Sequence, residues 1–510
     1  MKSERAKETP RRNAVLAAFA HPGDRRGFCY IPAGMEPSSH PEISITHRQP
    51  DYLNPIRFEY DRESTHVQKY RTHDRTLILD SRKRKGEAIR RHCDDVVCIS
   101  PWVEGSLVNR ELDIVLSSAR YNIGESEKRR EKQYRNWAKD AGLVLLGDSG
   151  GYNLKVEDEH PRIDLGKVIE WMNAACDFCF VLDTPPKTKI DWGNRDRTKA
   201  LAITQKANCD RMLAEKRGDL QLLNVAHGGT IDLVREWMEE VGPPQDYIGW
   251  GAAYDNGQDV ASVYRAAIML INEYRVKWVH MLGISGPTDI PLMAWLGRYA
   301  LITCDSSSLH EAGRRRKYFY QSIDGKLKTF QLGDQERPSG FTTGALLPCQ
   351  CPVCRTLSYT DIFLHKNGSL GAVMTMHNVL AIRRYAHAWS TYATGTDEHG
   401  RYLIDYKQYR NKVEEMYPNK VELLEYIWDA LQNGVDAAQR TIVCGHDSRL
   451  KRSLCAGGAQ DGQAVRSNIH SVGTNLEIIP WYLDLNNAAT LRRMPESVQR
   501  WWKENQHAYE

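Results

Sequence analysis

Residues 220–251 read LQLLNVAHGGTIDLVREWMEEVGPPQDYIGWG, and they hold one complete unit of the fold. The continuous apolar run LQLLNVAHG (220–228) suits a strand buried on both faces, because a strand with one wet face would alternate. Ile231 to Val241 follows a helical pattern, and YIGWG (247–251) reads as the next buried strand. A strand, a helix and a second strand of this kind make a βαβ unit, which belongs in a parallel sheet.

The same pattern extends in both directions. LVLLGD (143–148) and FCFVLD (178–183) precede the unit, while WVHMLGI (278–284) and ALITCD (300–305) follow it. Leu165 to Cys176 and Val260 to Tyr274 supply further helical patterns. The expected fold is a (β/α)8 TIM barrel of the α/β class, with a doubly wound sheet as the structural rival. The visible strands end in Asp148, Asp183, His227, Gly251, Gly283 and Asp305. A barrel gathers such ends around one face, whereas a doubly wound sheet spreads them along a line. The first two strands are sought upstream, in TLILDS (76–81) and DVVCIS (95–100). The expected division is an irregular N-terminal extension at 1–75, the barrel at 76–345, a zinc-binding subdomain at 346–380 and a mostly helical region at 381–510. The last contains LLEYIWDALQNGV (423–435) and ESVQRWWKENQ (496–506). Trp481, Trp501 and Trp502 read as packing residues rather than a nucleotide platform.

Composition limits the classes available. A chain of 510 residues with 41% hydrophobic and 26% charged residues can bury a large core without disulfides. No stretch reaches the roughly 20 apolar residues of a membrane helix, and the start MKSERAKETPRRN lacks an apolar signal core, so a cytoplasmic location is expected. Net charge is only +4, but basic residues cluster at Arg82–Arg84, Lys128–Arg130 and Arg314-Arg315-Arg316-Lys317. A solvated face is the ordinary meaning of such a run. The last one, just after Asp305, is the candidate phosphate contact. Of twelve cysteines, three crowd into Cys349-Gln350-Cys351-Pro352-Val353-Cys354, and His377 follows after 22 intervening residues. Three thiolates and an imidazole suit zinc in a closed tetrahedral site with no open position for water, hence a structural zinc.

In order, Asp148-Ser149-Gly150-Gly151-Tyr152, Asp183, His227-Gly228-Gly229, Ile248-Gly249-Trp250-Gly251-Ala252, His280-Met281-Leu282-Gly283-Ile284, Asp305 and the cysteine set with His377-Asn378 resemble the motifs of the tRNA-guanine transglycosylase superfamily. The resemblance covers roughly residues 140–380. Departures from the family pattern include His227 in place of Gln, Asn153 in place of Gln, Trp250 in place of Gly, and Ser306-Ser307-Ser308 after Asp305. With some 140 residues ahead of the first motif, the chain looks most like the DNA 7-deazaguanine transglycosylases, the DpdA group of phages and bacterial modification islands.

What the resemblance implies is exchange of guanine in DNA for a free 7-deazaguanine base such as preQ0. Asp305 would attack C1′ and hold the sugar covalently, and Asp148 would serve the departing and entering bases as acid and base. Ser149, Gly150, Gly151, Tyr152, Asp183, His227, Gly228, Gly249, Trp250, Leu282 and Gly283 would line the base pocket, with Tyr152 stacked on the purine and Asp183 on its N–H edge. Locally each residue has a plainer role. Asp305 suits a helix N-cap, Asp148 a turn, Asp183 a cap on Thr184-Pro185-Pro186, and His227 a packed core. Three rivals stand beside the DNA enzyme: a tRNA transglycosylase, a non-catalytic nucleic-acid-binding subunit of such an enzyme, and a metal-dependent hydrolase using His227 and His280.

Overall fold

The structure, a computed structural model of the chain, describes residues 10–24, 26–33, 42–47, 59–62, 67–71, 75–80, 96–98, 112–119, 123, 137–151, 164–186, 194–253, 260–305, 308–315, 317–322, 325–331, 349, 351, 353–354 and 370–438. The chain divides into two compact units. The first is drawn from Met1–Met35, Asp113–Ser306 and Ala386–Asp461, the second from Glu36–Leu112, Ser307–Tyr385 and Gly462–Glu510.

The first unit is built on a parallel sheet of eight strands. These are β1 (Gly27–Tyr30), β7 (Ile114–Ser118), β8 (Val144–Asp148), β9 (Phe178–Phe180), β10 (Gln221–Ala226), β11 (Gly249–Ala253), β12 (Trp278–Leu282) and β13 (Leu301–Cys304). Their order in the sheet is β1-β13-β12-β11-β10-β9-β8-β7, with every pairing parallel. A bridge joins Ala33 to Leu116, and the Leu116 N–H donates to the Pro32 carbonyl at 2.7 Å. The six strands expected from apolar runs are all present. The first two strands of the sheet are not TLILDS and DVVCIS, however. Those segments form Arg75–Asp80 (β5) and Val96–Cys98 (β6) of a separate antiparallel sheet in the second unit, beside Glu42–His47 (β2), Glu59–Arg62 (β3) and Val67–Arg71 (β4). An apolar run marks a buried strand but carries no sign of the direction of its partners.

Alternate side chains of the parallel strands meet in one core. Ile31, Ile114, Leu116, Val144, Leu146, Phe178, Phe180, Leu223, Val225, Trp278 and Leu301 all belong to it. The N-terminal helix Pro10–Ala20 adds Phe19, whose ring lies 5.0 Å from Trp278 and 6.2 Å from Phe178. Both partners begin their strands, so the helix seals the end of the sheet where strands start. Arg12, 2% exposed, fastens it by donating to the Leu143 carbonyl and pairing with Asp177. The segment expected to be irregular therefore supplies a plug and the first strand.

Helices Leu165–Ala175, Arg195–Glu215, Ile231–Val241, Val260–Asn272 and Ile290–Leu296 connect successive strands. Helices Tyr406–Met416 and Val421–Asn433 belong to the first unit. Tyr409 donates to the Pro291 carbonyl at 2.7 Å, and Asn272 donates to the carbonyls of Ala430 and Leu431. The segment 496–506 and the tryptophans 481, 501 and 502 lie outside the described residues. Among the described residues no helix is long and apolar enough to cross a membrane.

Phe19→Ala should leave a cavity at the sealed end that the surrounding rings cannot fill. We expect a loss of about 3–5 kcal/mol in denaturant-induced unfolding, with the slope of the transition unchanged.

Candidate active site and candidate metal centre

Side chains that share the core's face continue to the strand C-termini, and there their chemistry changes. On β7 the column Ile114, Leu116 ends in Ser118; on β8 Val144, Leu146 ends in Asp148. On β12 Trp278 is followed at the same parity by His280 and Leu282, and on β13 Leu301 is followed by Thr303 and Asp305. A polar layer thus stands on an apolar column, and it holds two of the three expected carboxylates.

The third, Asp183, follows β9 and is held from two sides. His227 Nε2 lies 3.0 Å from its Oδ2, and the histidine is 1% exposed, edge-on to Trp237. On the other side is Gly151, where an added Cβ would fall 1.7 Å from the Asp183 carboxylate. No other residue fits there without moving that carboxylate. Gly150, at φ +85°, turns the chain so that its N–H reaches Asp148 Oδ1 at 2.9 Å. The buried Ser149 hydroxyl donates to the Val181 carbonyl at 2.7 Å, tying the end of β8 to the segment after β9.

Asp148 is the group most altered by this setting. Burial pushes its carboxyl up to about 6; the Gly150 N–H and Ser118 oppose the rise, and the charges of Asp183 and Asp305 add to it. Asp148 is therefore within electrostatic reach of both other carboxylates. Asp305 is itself tied to a buried histidine, with His280 Nε2 at 3.0 Å from its Oδ1. From the sequence, His280 is named only within a motif and beside the hydrolase rival, and Thr303 is not named at all. Both lie two residues before a marked position, Leu282 and Asp305, and strand parity is the signal that finds them.

Several marked residues have other duties. Trp250 points away from the core: it is fully buried on the side of Asn224, donates to the Pro244 carbonyl and packs against Tyr247. The structure does not bring it to the carboxylates, because a single step along a strand reverses the face. Gly249 and Gly251 face inward instead, leaving room for Trp278 and Leu282, whose atoms stand 2.8 and 2.7 Å from the Cβ each glycine lacks. Gly228, at φ +145°, lets the start of helix Ile231–Val241 approach, with the Val234 backbone nitrogen 2.7 Å from an added Cβ. Gly283 is exposed at φ +75° beside the part-buried Leu282. Tyr152 and Arg316 lie outside the described residues. Arg314 ends the helix Ser308–Arg314 in the second unit, Arg315 is exposed, and Lys317 begins β14 (Lys317–Gln321).

The second unit holds the cysteine set. Cys349, Cys351, Cys354 and His377 are all buried, and their ligand atoms lie within 4.8 Å of one another. His377 Nδ1 stands 3.4 Å from Cys351 Sγ and 3.2 Å from Cys354 Sγ. Ligand bonds of about 2.3 and 2.0 Å in a tetrahedron would separate sulfur from nitrogen by roughly 3.5 Å, so the set is nearly at ligation spacing. Its outer contacts fit as well. His377 Nε2 donates to the Phe319 carbonyl at 2.7 Å, which leaves Nδ1 bare toward the sulfurs. Tyr318 stacks on the imidazole at 3.9 Å, and Asn378 clasps β14 by accepting from the Phe319 N–H and donating to the Lys317 carbonyl. These residues form a group that could hold a metal ion. Among the described residues no comparable set of three ligands occurs at the strand ends of the first unit.

No protein-family model matches the chain, and no curated protein matches it.

Two outcomes are expected. Elemental analysis should find one equivalent of a thiophilic divalent ion, and Cys351→Ala should abolish it while destabilising the protein by about 4 kcal/mol or more. Asp148 should titrate near pH 6, and removing a neighbouring charge by Asp183→Asn or Asp305→Asn should lower that value in carboxyl-detected NMR. The raised value also fixes the sign of its linkage to stability. Ionisation costs the folded state more than the unfolded one, so Asp148→Asn should gain stability over wild type between pH 4 and about 6 and keep that gain above it.

Proposed function

We propose that the chain is a base-exchange enzyme that replaces guanine in DNA with a 7-deazaguanine, working at the C-terminal end of a closed (β/α)8 barrel. The observation that carries this is the gathering of Asp148, Asp183 and Asp305 at strand ends, with Asp148 raised to about 6 among them. Base exchange needs one carboxylate that stays anionic to attack and another that carries a proton near neutral pH. The bridge between Ala33 and Leu116, which joins the two ends of the strand order, supports closure of the barrel. The absence of a strand-end ligand set among the described residues speaks against a metal-dependent hydrolase.

In the proposed reaction the Asp305 carboxylate attacks C1′ of the target nucleotide as the C1′–N9 bond breaks. The N9 electron pair leaves with the guanine, which takes a proton from Asp148. The incoming deazaguanine gives its N9 proton to the Asp148 carboxylate, and its N9 displaces Asp305 from C1′. Asp183, oriented by His227, accepts from the N–H edge of either base. Gly151 keeps that carboxylate at the mouth of the turn holding Asp148. The target nucleotide must leave the stack to reach such a site. Zinc is the ion we assign to Cys349, Cys351, Cys354 and His377. With four protein ligands it would hold the second unit together and take no part in bond exchange. The run Arg314–Lys317 would meet phosphates. A tRNA substrate would use the same strand-end groups.

The test is exchange of labelled guanine or preQ0 into separate DNA and tRNA substrates. We expect incorporation into DNA and a covalent protein–DNA adduct on denaturing gels. Asp305→Asn should lower exchange about 1,000-fold or more and lose the adduct while still binding DNA. An adduct that persists in Asp305→Asn would sink the mechanism, and incorporation into tRNA alone would move the substrate.

A further inference from the structure

Behind Asp305 runs a line of buried polar atoms that the exchange chemistry does not itself use. Trp278 Nε1 lies 2.8 Å from Thr303 Oγ1, Thr303 Oγ1 lies 2.8 Å from His280 Nδ1, and His280 Nε2 lies 3.0 Å from Asp305 Oδ1. Trp278, Thr303 and His280 are each 0% exposed, so water does not compete for these contacts. His280 and Thr303 are direct register partners on β12 and β13, which makes the spacing a property of the sheet.

One assignment of hydrogens satisfies every member. An indole N–H only donates, so the Thr303 oxygen accepts from Trp278. The threonine hydrogen then goes to His280 Nδ1, the other side-chain atom in contact with that oxygen among the described residues. A nitrogen that accepts carries no hydrogen, so the ring proton sits on Nε2 and is donated to Asp305. The other forms each strand a buried group. A proton on Nδ1 alone would set a bare Nε2 against a carboxylate oxygen. A doubly protonated ring would leave the Thr303 hydrogen with no acceptor.

We propose that Trp278, Thr303 and His280 form a fixed donor chain that holds His280 as its neutral Nε2–H tautomer and clamps Asp305 by Oδ1, leaving Oδ2 as the atom that attacks. His280 is then a positioning residue. It fixes the rotation of the carboxylate and does not hand it a proton, so the nucleophile keeps its charge. Among the described residues Oδ2 of Asp305 has no hydrogen-bond partner, and the side chain is 17% exposed, enough for a sugar carbon to reach it. The catalytic part of this proposal rests on Asp305 as nucleophile; the tautomer does not.

Two measurements on the full-length protein separate these parts. The first is NMR of protein labelled with 15N-histidine at pH 7.5, with the His280 signals assigned by their loss in His280→Gln. We expect a wild-type ring protonated at Nε2 only. Thr303→Val, close in shape but without the hydroxyl, should bring in the Nδ1–H or doubly protonated form. The second is exchange kinetics. Thr303→Val should lower kcat by about 100-fold with KM for DNA unchanged. His280→Gln, whose amide still donates toward Asp305, should keep more activity than His280→Leu. A wild-type ring with a proton on Nδ1 overturns the proposal whether or not any variant folds. So does a Thr303→Val protein that keeps both the tautomer and the rate. If the wild type performs no base exchange, the functional reading fails, and the tautomer measurement alone decides the donor chain.

Discussion

Side chains on a strand point alternately to opposite faces, and that period of two governs everything at the strand ends of the first unit. Phe178 and Phe180, Val144 and Leu146, Leu223 and Val225, Trp278 and Leu301 face one core. The next inward positions, Ser118, Asp148, His280 and Thr303, are polar because they reach the open end. Ser118, Asp148, His280 and Thr303 therefore stand on packed hydrophobic columns rather than on loops. A group so mounted keeps its position at little further entropic cost, which is what a proton donor or a nucleophile requires.

The three carboxylates are treated differently by their neighbours. Asp183 faces His227, and Asp305 faces His280, each at 3.0 Å. Among the described residues Asp148 meets the Gly150 N–H and Ser118 while burial presses on it, and its carboxyl is driven up to about 6. In the proposed exchange these settings correspond to distinct tasks. The carboxylates held by imidazoles grip and attack, and the one without an imidazole moves a proton.

Much of this was legible in the chain alone, for physical reasons that differ by element. Strands β8 to β13 announced themselves as unbroken apolar runs because both faces are covered. The cysteine set that could hold a metal ion was legible because ligand spacing is a local property of Cys349–Cys354. β1 was missed: Gly27–Tyr30 is short and followed by Pro32, so it reads as irregular, although Pro32 lacks only a donor and its carbonyl still binds Leu116. Trp250 was taken for a pocket residue because a motif gives a position but not a face; its parity with Asn224 sends it outward. The link from Thr303 through His280 to Asp305 was overlooked for the complementary reason. A lone histidine or threonine in an apolar strand looks like core until its register partner is known, and here each is the partner of the other.

The pairing of β1 with β13 has a bearing on how the chain is made. Gly27 lies against Leu301, 274 positions further on, so the first strand of this sheet to be made waits for its ladder partner until the sheet's last strand. At roughly 5–20 residues per second, translation would hold that partner back for roughly 14 to 55 seconds. During this interval Phe28 and Tyr30 lack the strand they pair with, and the plug residue Phe19 lacks first Phe178 and then Trp278. A nascent chain in that state is a natural client for a holding chaperone. Slowing elongation before residue 301 would lengthen its exposure without altering a single contact of the finished protein.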